Sequence, residues 1–118
     1  MKKILIADDS LAQRTQLTLI LTQAGHHVKA VSSGNEVIPT ATSYQPELIM
    51  LDIIMSDGDG YRTCRQLKRS EATRDIPVLM VSSKSNEADR AWAFQLGAVG
   101  YITKPYTEED ILQAIDNL

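Results

Sequence analysis

Five short apolar runs punctuate the chain: KILIA at 3–7, HVKAV at 27–31, ELIML at 47–51, PVLMV at 77–81 and VGYIT at 99–103. Continuous runs rich in Val, Ile and Leu predict strands buried on both faces, as in a parallel sheet. HVKAV mixes apolar and polar positions, which predicts an edge strand.

Helical patterns with start and stop signals lie between these runs. Ser10 and Gln13 write an S-x-x-Q capping box. It opens a helix carrying Leu17, Ile20, Leu21 and Ala24 on one face, with Gly25 placed to end it. Ser33 and Glu36 write a second box, S-x-x-E. Pro39 falls past the first turn of that helix, where it removes a donor and clashes with the preceding turn. A kinked, shortened or displaced helix is expected there. Asp59 is placed to cap a third helix, with a stripe of Tyr61, Cys64, Leu67 and the stem of Lys68. Ser85 or Asn86 caps a fourth, closed by Gly97. On it Ala88, Ala91, Trp92 and Gln95 share one face, and Phe94 points away from that face. Thr107 and Asp110 open a fifth, bearing Ile111, Leu112 and Ile115. The order is (βα)₅, which implies right-handed crossovers and helices on both faces of the sheet. Five strands are too few for a closed eight-stranded barrel, so an open, doubly wound α/β sheet is expected.

Composition narrows the class. The 118 residues fit one domain, 1–118, able to bury a core without disulfides or a structural metal. Cys64 is the only cysteine and reads as a small buried hydrophobe. A net charge of −3 gives no electrostatic reason to expect a nucleic-acid partner. The apolar stretch of MKKILIADDS is too short for a secretory signal, and no run approaches transmembrane length. A cytoplasmic protein without a membrane partner is expected.

The polar residues at the strand ends carry the chemistry. Asp8 and Asp9 follow the first run, Asp52 the third and Lys104 the fifth; Ser82 and Ser83 end the fourth. In open α/β sheets the carboxyl edge is where ligands bind. Three carboxylates brought together there repel one another unless a cation is held. Oxygen donors favour Mg²⁺. With Lys104 supplying a fixed positive charge and Ser82 a hydroxyl donor, the set suits a phosphoryl group.

Rival chemistries fail on named positions. Read as an EF-hand, DGDGY would put Met55 and Gln66 at two essential ligand positions. The segment after the first run, ADDSLAQ, is no Gly-rich phosphate loop. His26 and His27 fall at the start of the second strand, the opposite edge from the acids, which excludes a Ser-His-Asp triad there. An aspartyl-phosphate phosphatase needs a second Asp two residues after its nucleophile. Here that position is Ile54, so a phosphoryl group on Asp52 would persist as a signal.

The pieces ILIADDS, ELIMLDIIM, DGY, IPVLMVSSK, LGAVGYITKP and the final helix, in this order, resemble the receiver domains of two-component response regulators. The resemblance covers essentially the whole chain and implies a flavodoxin-like sheet of order 2-1-3-4-5. It implies a signalling domain rather than a turnover enzyme, with Asp52 accepting phosphate from a sensor histidine kinase or phosphotransfer protein. It further implies Mg²⁺ (or Mn²⁺) held by Asp8, Asp9, Asp52 and the Ile54 carbonyl, and a cis Lys104–Pro105 peptide. Lys104 would pair with the phosphate beside Ser82 and Ser83. Tyr101 would turn inward as Ser82 responds, and the switched face, including Phe94 and Tyr101, would meet an output protein. A monomer or phosphorylation-dependent dimer follows. Alternatives are a degenerate, phosphorylation-independent interaction module and the N-terminal receiver of a longer regulator. The loop departs from the family: Ser56 stands where proline is usual, and Gly58 where a larger apolar residue is often found. VSSKSNEADRAWAFQLGA further resembles single-domain regulators of type IV pilus twitching and chemotaxis-like pathways.

Overall fold

A computed structural model describes residues 1–55 and 58–118. Its elements follow the expected alternation: β1 Lys3–Ala7, α1 Leu11–Gln23, β2 His27–Val31, a 3₁₀ turn at Gly34–Glu36, and α2 Val37–Tyr44. Then come β3 Leu48–Asp52, the short pair β4 Ile54–Met55 and β5 Gly58–Asp59, and α3 Gly60–Arg69. The chain finishes with β6 Val78–Ser82, α4 Glu87–Gln95, β7 Gly100–Thr103 and α5 Glu108–Asp116. The main sheet runs β2-β1-β3-β6-β7 with every pairing parallel. Counting only its own strands, this is the 2-1-3-4-5 order of the flavodoxin-like fold. HVKAV is one of the two edge strands and has no buried residue, as its mixed pattern requires.

The pleat sorts side chains into two cores. Leu5, Ala7, Ile49, Leu51, Val78 and Met80 pack with Val37, Ala41, Cys64, Leu67 and Ala93 of α2, α3 and α4. Ile4, Ile6, Leu48, Met50, Leu79 and Val81 pack with Leu17, Leu21, Ile111 and Ile115 of α1 and α5.

Most helix caps form as expected, although the Ser10–Gln13 box is only half made, since the Ser10 amide donates to Asp8 Oδ1 instead of to the Gln13 side chain. Side chains of Ser10, Asp59, Asn86 and Thr107 accept the amides of Gln13, Arg62, Asp89 and Asp110. Asn86, not Ser85, caps α4. Thr107 and Asp110 complete their box reciprocally. Gly25 and Gly97 end α1 and α4 at φ +93 and +108, where a side chain would be strained.

Three expectations need correction. The Ser33–Glu36 box does not form: Glu36 Oε2 accepts the Ser32 amide instead, and Ser33 makes no side-chain cap. The helix proper begins only at Val37, so Pro39 sits in its first turn. There a missing N–H costs nothing, since first-turn donors lack helical partners anyway. Ala24 is exposed, because it is the C-cap of α1 rather than part of its buried face. On α4, Ala93 alone is buried; the face shared by Ala88, Ala91, Trp92 and Gln95 is the solvent face. Phe94 is 49% exposed. The expectations about Ser56 and Asp57 lie outside the described residues. No described helix is long and apolar enough to cross a membrane.

Candidate functional site at the carboxyl edge of the sheet

β1 and β3 are hydrogen-bonded neighbours with Ile6 opposite Met50 and Ala7 opposite Leu51. Continuing that register by one residue sets Asp8 beside Asp52. Both are buried (5% and 7% exposed), whereas Asp9, on the opposite phase of the chain, is exposed. One carboxylate oxygen from each of Asp8, Asp9 and Asp52 lies within 4.8 Å of the other two.

Lys104 follows β7 and lies against the two buried acids. Its Nζ donates to Asp8 Oδ2 at 2.9 Å and lies 3.5 Å from Asp52 Oδ2. The Lys104–Pro105 peptide is cis. Asp8 Oδ1 accepts the Ser10 amide at 2.9 Å, so the turn into α1 helps orient this carboxylate.

Burial pushes the Asp52 carboxyl above its usual range, the Lys104 ammonium pulls it back, and the Asp8 charge pushes it up again. The Ile54 amide, 3.4 Å from Asp52 Oδ1, adds a smaller pull downward. The donor set fits a cation. Octahedral Mg²⁺ binds oxygens at about 2.0–2.1 Å, so its ligand atoms lie no more than about 4.2 Å apart, and a small closure of three carboxylates reaches this. Ile54 is 53% exposed at the lip of the site.

Ser82, the last residue of β6, is fully buried. Its Oγ accepts the Lys84 amide at 3.1 Å, and its carbonyl accepts the Lys104 amide at 2.8 Å. The Tyr101 hydroxyl donates to the Lys84 carbonyl at 2.7 Å. Lys84 thus links the expected switch hydroxyl to the expected switch aromatic. Arg90 lies over the Tyr101 ring, 4.9 Å from its centre, and donates to Thr103 Oγ1 at 2.6 Å. Burial pushes the Tyr101 phenol upward. Ser83 is exposed and lines a cavity of about 260 Å³ with Gln13, Gln16, Lys104, Pro105 and Tyr106.

The structure therefore gathers Asp8, Asp9, Asp52 and Lys104 in one cluster and joins Ser82 to Tyr101 through the next loop. The sequence reading passed over Gly60. A Cβ there would collide with the Asp52 carbonyl oxygen and stand 2.8 Å from Ile53 Cα. The Gly60 amide instead donates to the Ile53 carbonyl at 2.6 Å. The start of α3 packs directly on the backbone at the end of β3 because this position has no side chain. A glycine opening a capped helix was the available signal, obscured by weighing DGDGY as a calcium-binding loop. Lys84 and Tyr61 were also missed. The Tyr61 hydroxyl donates to Asp89 Oδ1 at 2.7 Å, and Lys84 Nζ lies 4.0 Å from that oxygen.

Comparison with known proteins agrees with this architecture. The chemotaxis protein CheY4 of Vibrio cholerae superposes with a TM-score of 0.94 at 24% identity, covering 99% of this chain and 98% of that one. The receiver domain of a Pseudomonas aeruginosa sensor histidine kinase, with magnesium coordinated in its active-site cleft, superposes at 0.90 and 22% identity, over 98% and 95%. In sequence, protein PilH of Pseudomonas aeruginosa is 36% identical over 98% of this chain and 96% of its own length. The chain spans less than half the length, 42–48%, of the transcriptional regulators it also matches. The model of the response regulator receiver domain matches residues 4–116, from the first core strand to the end of α5, so all the residues gathered at this edge lie inside the match. The chain belongs to the response regulator receiver domain family.

Proposed function

We propose that this chain accepts a phosphoryl group on Asp52 from the phosphohistidine of a sensor histidine kinase or phosphotransfer protein. A carboxylate oxygen of Asp52 attacks phosphorus, the P–N bond breaks, and the imidazole leaves with the electron pair and takes up a proton. Asp8, Asp9, Asp52 and the Ile54 carbonyl would hold Mg²⁺, whose chemistry there would be to neutralise negative charge on the phosphoryl oxygens. Mn²⁺, of similar preference for oxygen, would serve in its place. Lys104 offers a second, fixed charge to the same oxygens, and Ser82, with Ser83 beside it, a hydroxyl donor.

The observation that carries this reading is the sharing of one ammonium between two buried carboxylates with a third in reach. Ile54 stands two residues beyond Asp52, so no carboxylate there activates water and the acyl phosphate lasts long enough to signal. The response runs through Lys84 to Tyr101 and to an output protein that meets the face including Phe94. The protein acts as a monomer or as a phosphorylation-dependent dimer. The similarity to PilH, together with the resemblance of residues 81–98 to twitching regulators, supports a place in type IV pilus or chemotaxis-like signalling in the cytoplasm.

Acetyl phosphate and Mg²⁺ test the reading. Intact-protein mass spectrometry should show one added phosphate on the wild type and none on Asp52→Asn. Equal uptake by the variant would remove Asp52 from its role.

A further inference from the structure

Asp8 is held at four atoms. Its amide donates to the Val31 carbonyl at 3.2 Å, and its Oδ1 accepts the Ser10 amide at 2.9 Å. Its Oδ2 accepts Lys104 Nζ at 2.9 Å. Its carbonyl oxygen accepts Arg14 Nη1 at 2.7 Å. The fourth bond is the unusual one. Arg14 lies in the first turn of α1, where its own amide caps back to the Ser10 carbonyl, and its side chain returns across the turn to a backbone atom. The Asp8 carbonyl belongs to the rigid peptide plane that continues into Asp9. Fixing that oxygen fixes the direction in which the chain delivers Asp9.

We propose that Arg14 is a positioning residue: it sets the Asp8–Asp9 peptide so that the exposed Asp9 carboxylate points toward the cation shared with Asp8 and Asp52. This rests on the metal-assisted reading above and deepens it. Two effects of a guanidinium here oppose one another. As a charge it repels a divalent cation; as a donor it preorganises a ligand. The geometry favours the second. Arg14 bonds the neutral carbonyl and leaves the Asp8 carboxylate to Ser10 and Lys104, so it shapes the turn without consuming a ligand oxygen. The two effects also differ in sign, which makes the matter decidable.

The experiment is calorimetric titration of Mg²⁺ into wild type, Arg14→Met, Arg14→Lys and Asp9→Asn. Arg14→Met keeps much of the apolar stem and removes the donors. Its affinity should fall about tenfold, as for other residues that orient metal ligands. Arg14→Lys, which keeps N–H donors on a single terminal nitrogen, should recover most of the loss. With acetyl phosphate, Arg14→Met should show a raised KM for Mg²⁺ and a near wild-type rate at saturation. Urea midpoints without Mg²⁺ check the fold; should Arg14→Met not fold, Arg14→Ala carries the same expectation. Unchanged or tighter binding in the donor-less variant would overturn the proposal. Absence of millimolar Mg²⁺ binding by wild type, or full affinity in Asp9→Asn, would instead overturn the metal reading beneath it.

Discussion

The Lys104 ammonium lies 3.5 Å from Asp52 Oδ2 while bonded at 2.9 Å to Asp8. One cation therefore balances two buried anions, an arrangement that leaves negative charge in excess. Lys104→Ala should lower stability in EDTA by about 3–5 kcal/mol, because removing one member of a buried charge group strands the others. Added Mg²⁺ should restore more stability to the variant than to the wild type, since it replaces the missing charge. Urea unfolding with and without Mg²⁺ measures both. Equal Mg²⁺ increments would mean that Lys104 and the metal do not share a charge-balancing role.

Asp52 gives the pH dependence. Its carboxyl is raised in the folded protein, with burial the largest cause. The folded state therefore holds a proton more tightly than the unfolded chain. The contribution of this group to stability falls as pH rises from the unfolded value, 3.8, through the raised folded value. Asp52→Asn, which cannot ionise, should be more stable than wild type at pH 7 without metal, and Lys104 keeps Asp8 as partner in that variant. Because the ligands must be ionised, Mg²⁺ affinity should begin to fall on acidification at a higher pH than for an ordinary carboxylate site. Unfolding curves from pH 4 to 8 and Mg²⁺ titrations over the same range test both. A wild type more stable than Asp52→Asn at pH 7 in EDTA would contradict the first.

Gly60→Ala should be severe for so small a change. The added methyl would meet the backbone of Asp52 and Ile53, neither of which is a flexible side-chain end. Overpacking of this kind costs about 1–3 kcal/mol. Relief by shifting the loop would displace the Ile54 backbone, so Mg²⁺ affinity should fall together with stability. Gly25→Ala is the control: it has open space but positive φ, and lies far from the site. It should lose stability while Mg²⁺ affinity stays unchanged.

Tyr61 and Asp89 join the start of α3 to the start of α4. Tyr61→Phe should cost about 1.5–3 kcal/mol, the usual range for a hydrogen bond to a charged group. A double-mutant cycle with Asp89→Ala should return a coupling energy of at least about 0.5 kcal/mol. Additive losses would show the two residues to be neighbours without energetic linkage.

Much of the fold was legible because its local signals agree with its global pattern. KILIA and HVKAV are strands over the ranges their apolar letters mark, since no other element competes for those residues. The Asp59, Asn86 and Thr107 caps were legible because each side chain needs only a local amide. The Ser33–Glu36 box failed for a local reason as well: a 3₁₀ turn at Gly34–Glu36 delays the helix, and the pattern S-x-x-E does not encode that delay. The acids at the carboxyl edge were legible from topology alone. What sequence could not display were contacts between a side chain and a distant or folded-back backbone. Gly60 against Asp52, Arg14 on the Asp8 carbonyl and Tyr101 on Lys84 all depend on where a main-chain atom finishes in space.

The alternation of the two cores along β3 has a final consequence. Leu48 and Met50 face α1 and α5, Ile49 and Leu51 face α2 and α3, and so Asp52 shares its parity with Met50. By the same count Asp8 shares parity with Ile6, and Lys104 with Ile102. Ser82 and Tyr101 share the opposite parity, that of Met80. The odd–even count along each strand thus sets the direction in which each of these side chains leaves the sheet. A single codon inserted among Leu48–Leu51 could leave the strand just as apolar and just as long. It would invert the count for Asp52 and turn its carboxylate away from Lys104 and Asp8, erasing the site without adding or removing any of its residues.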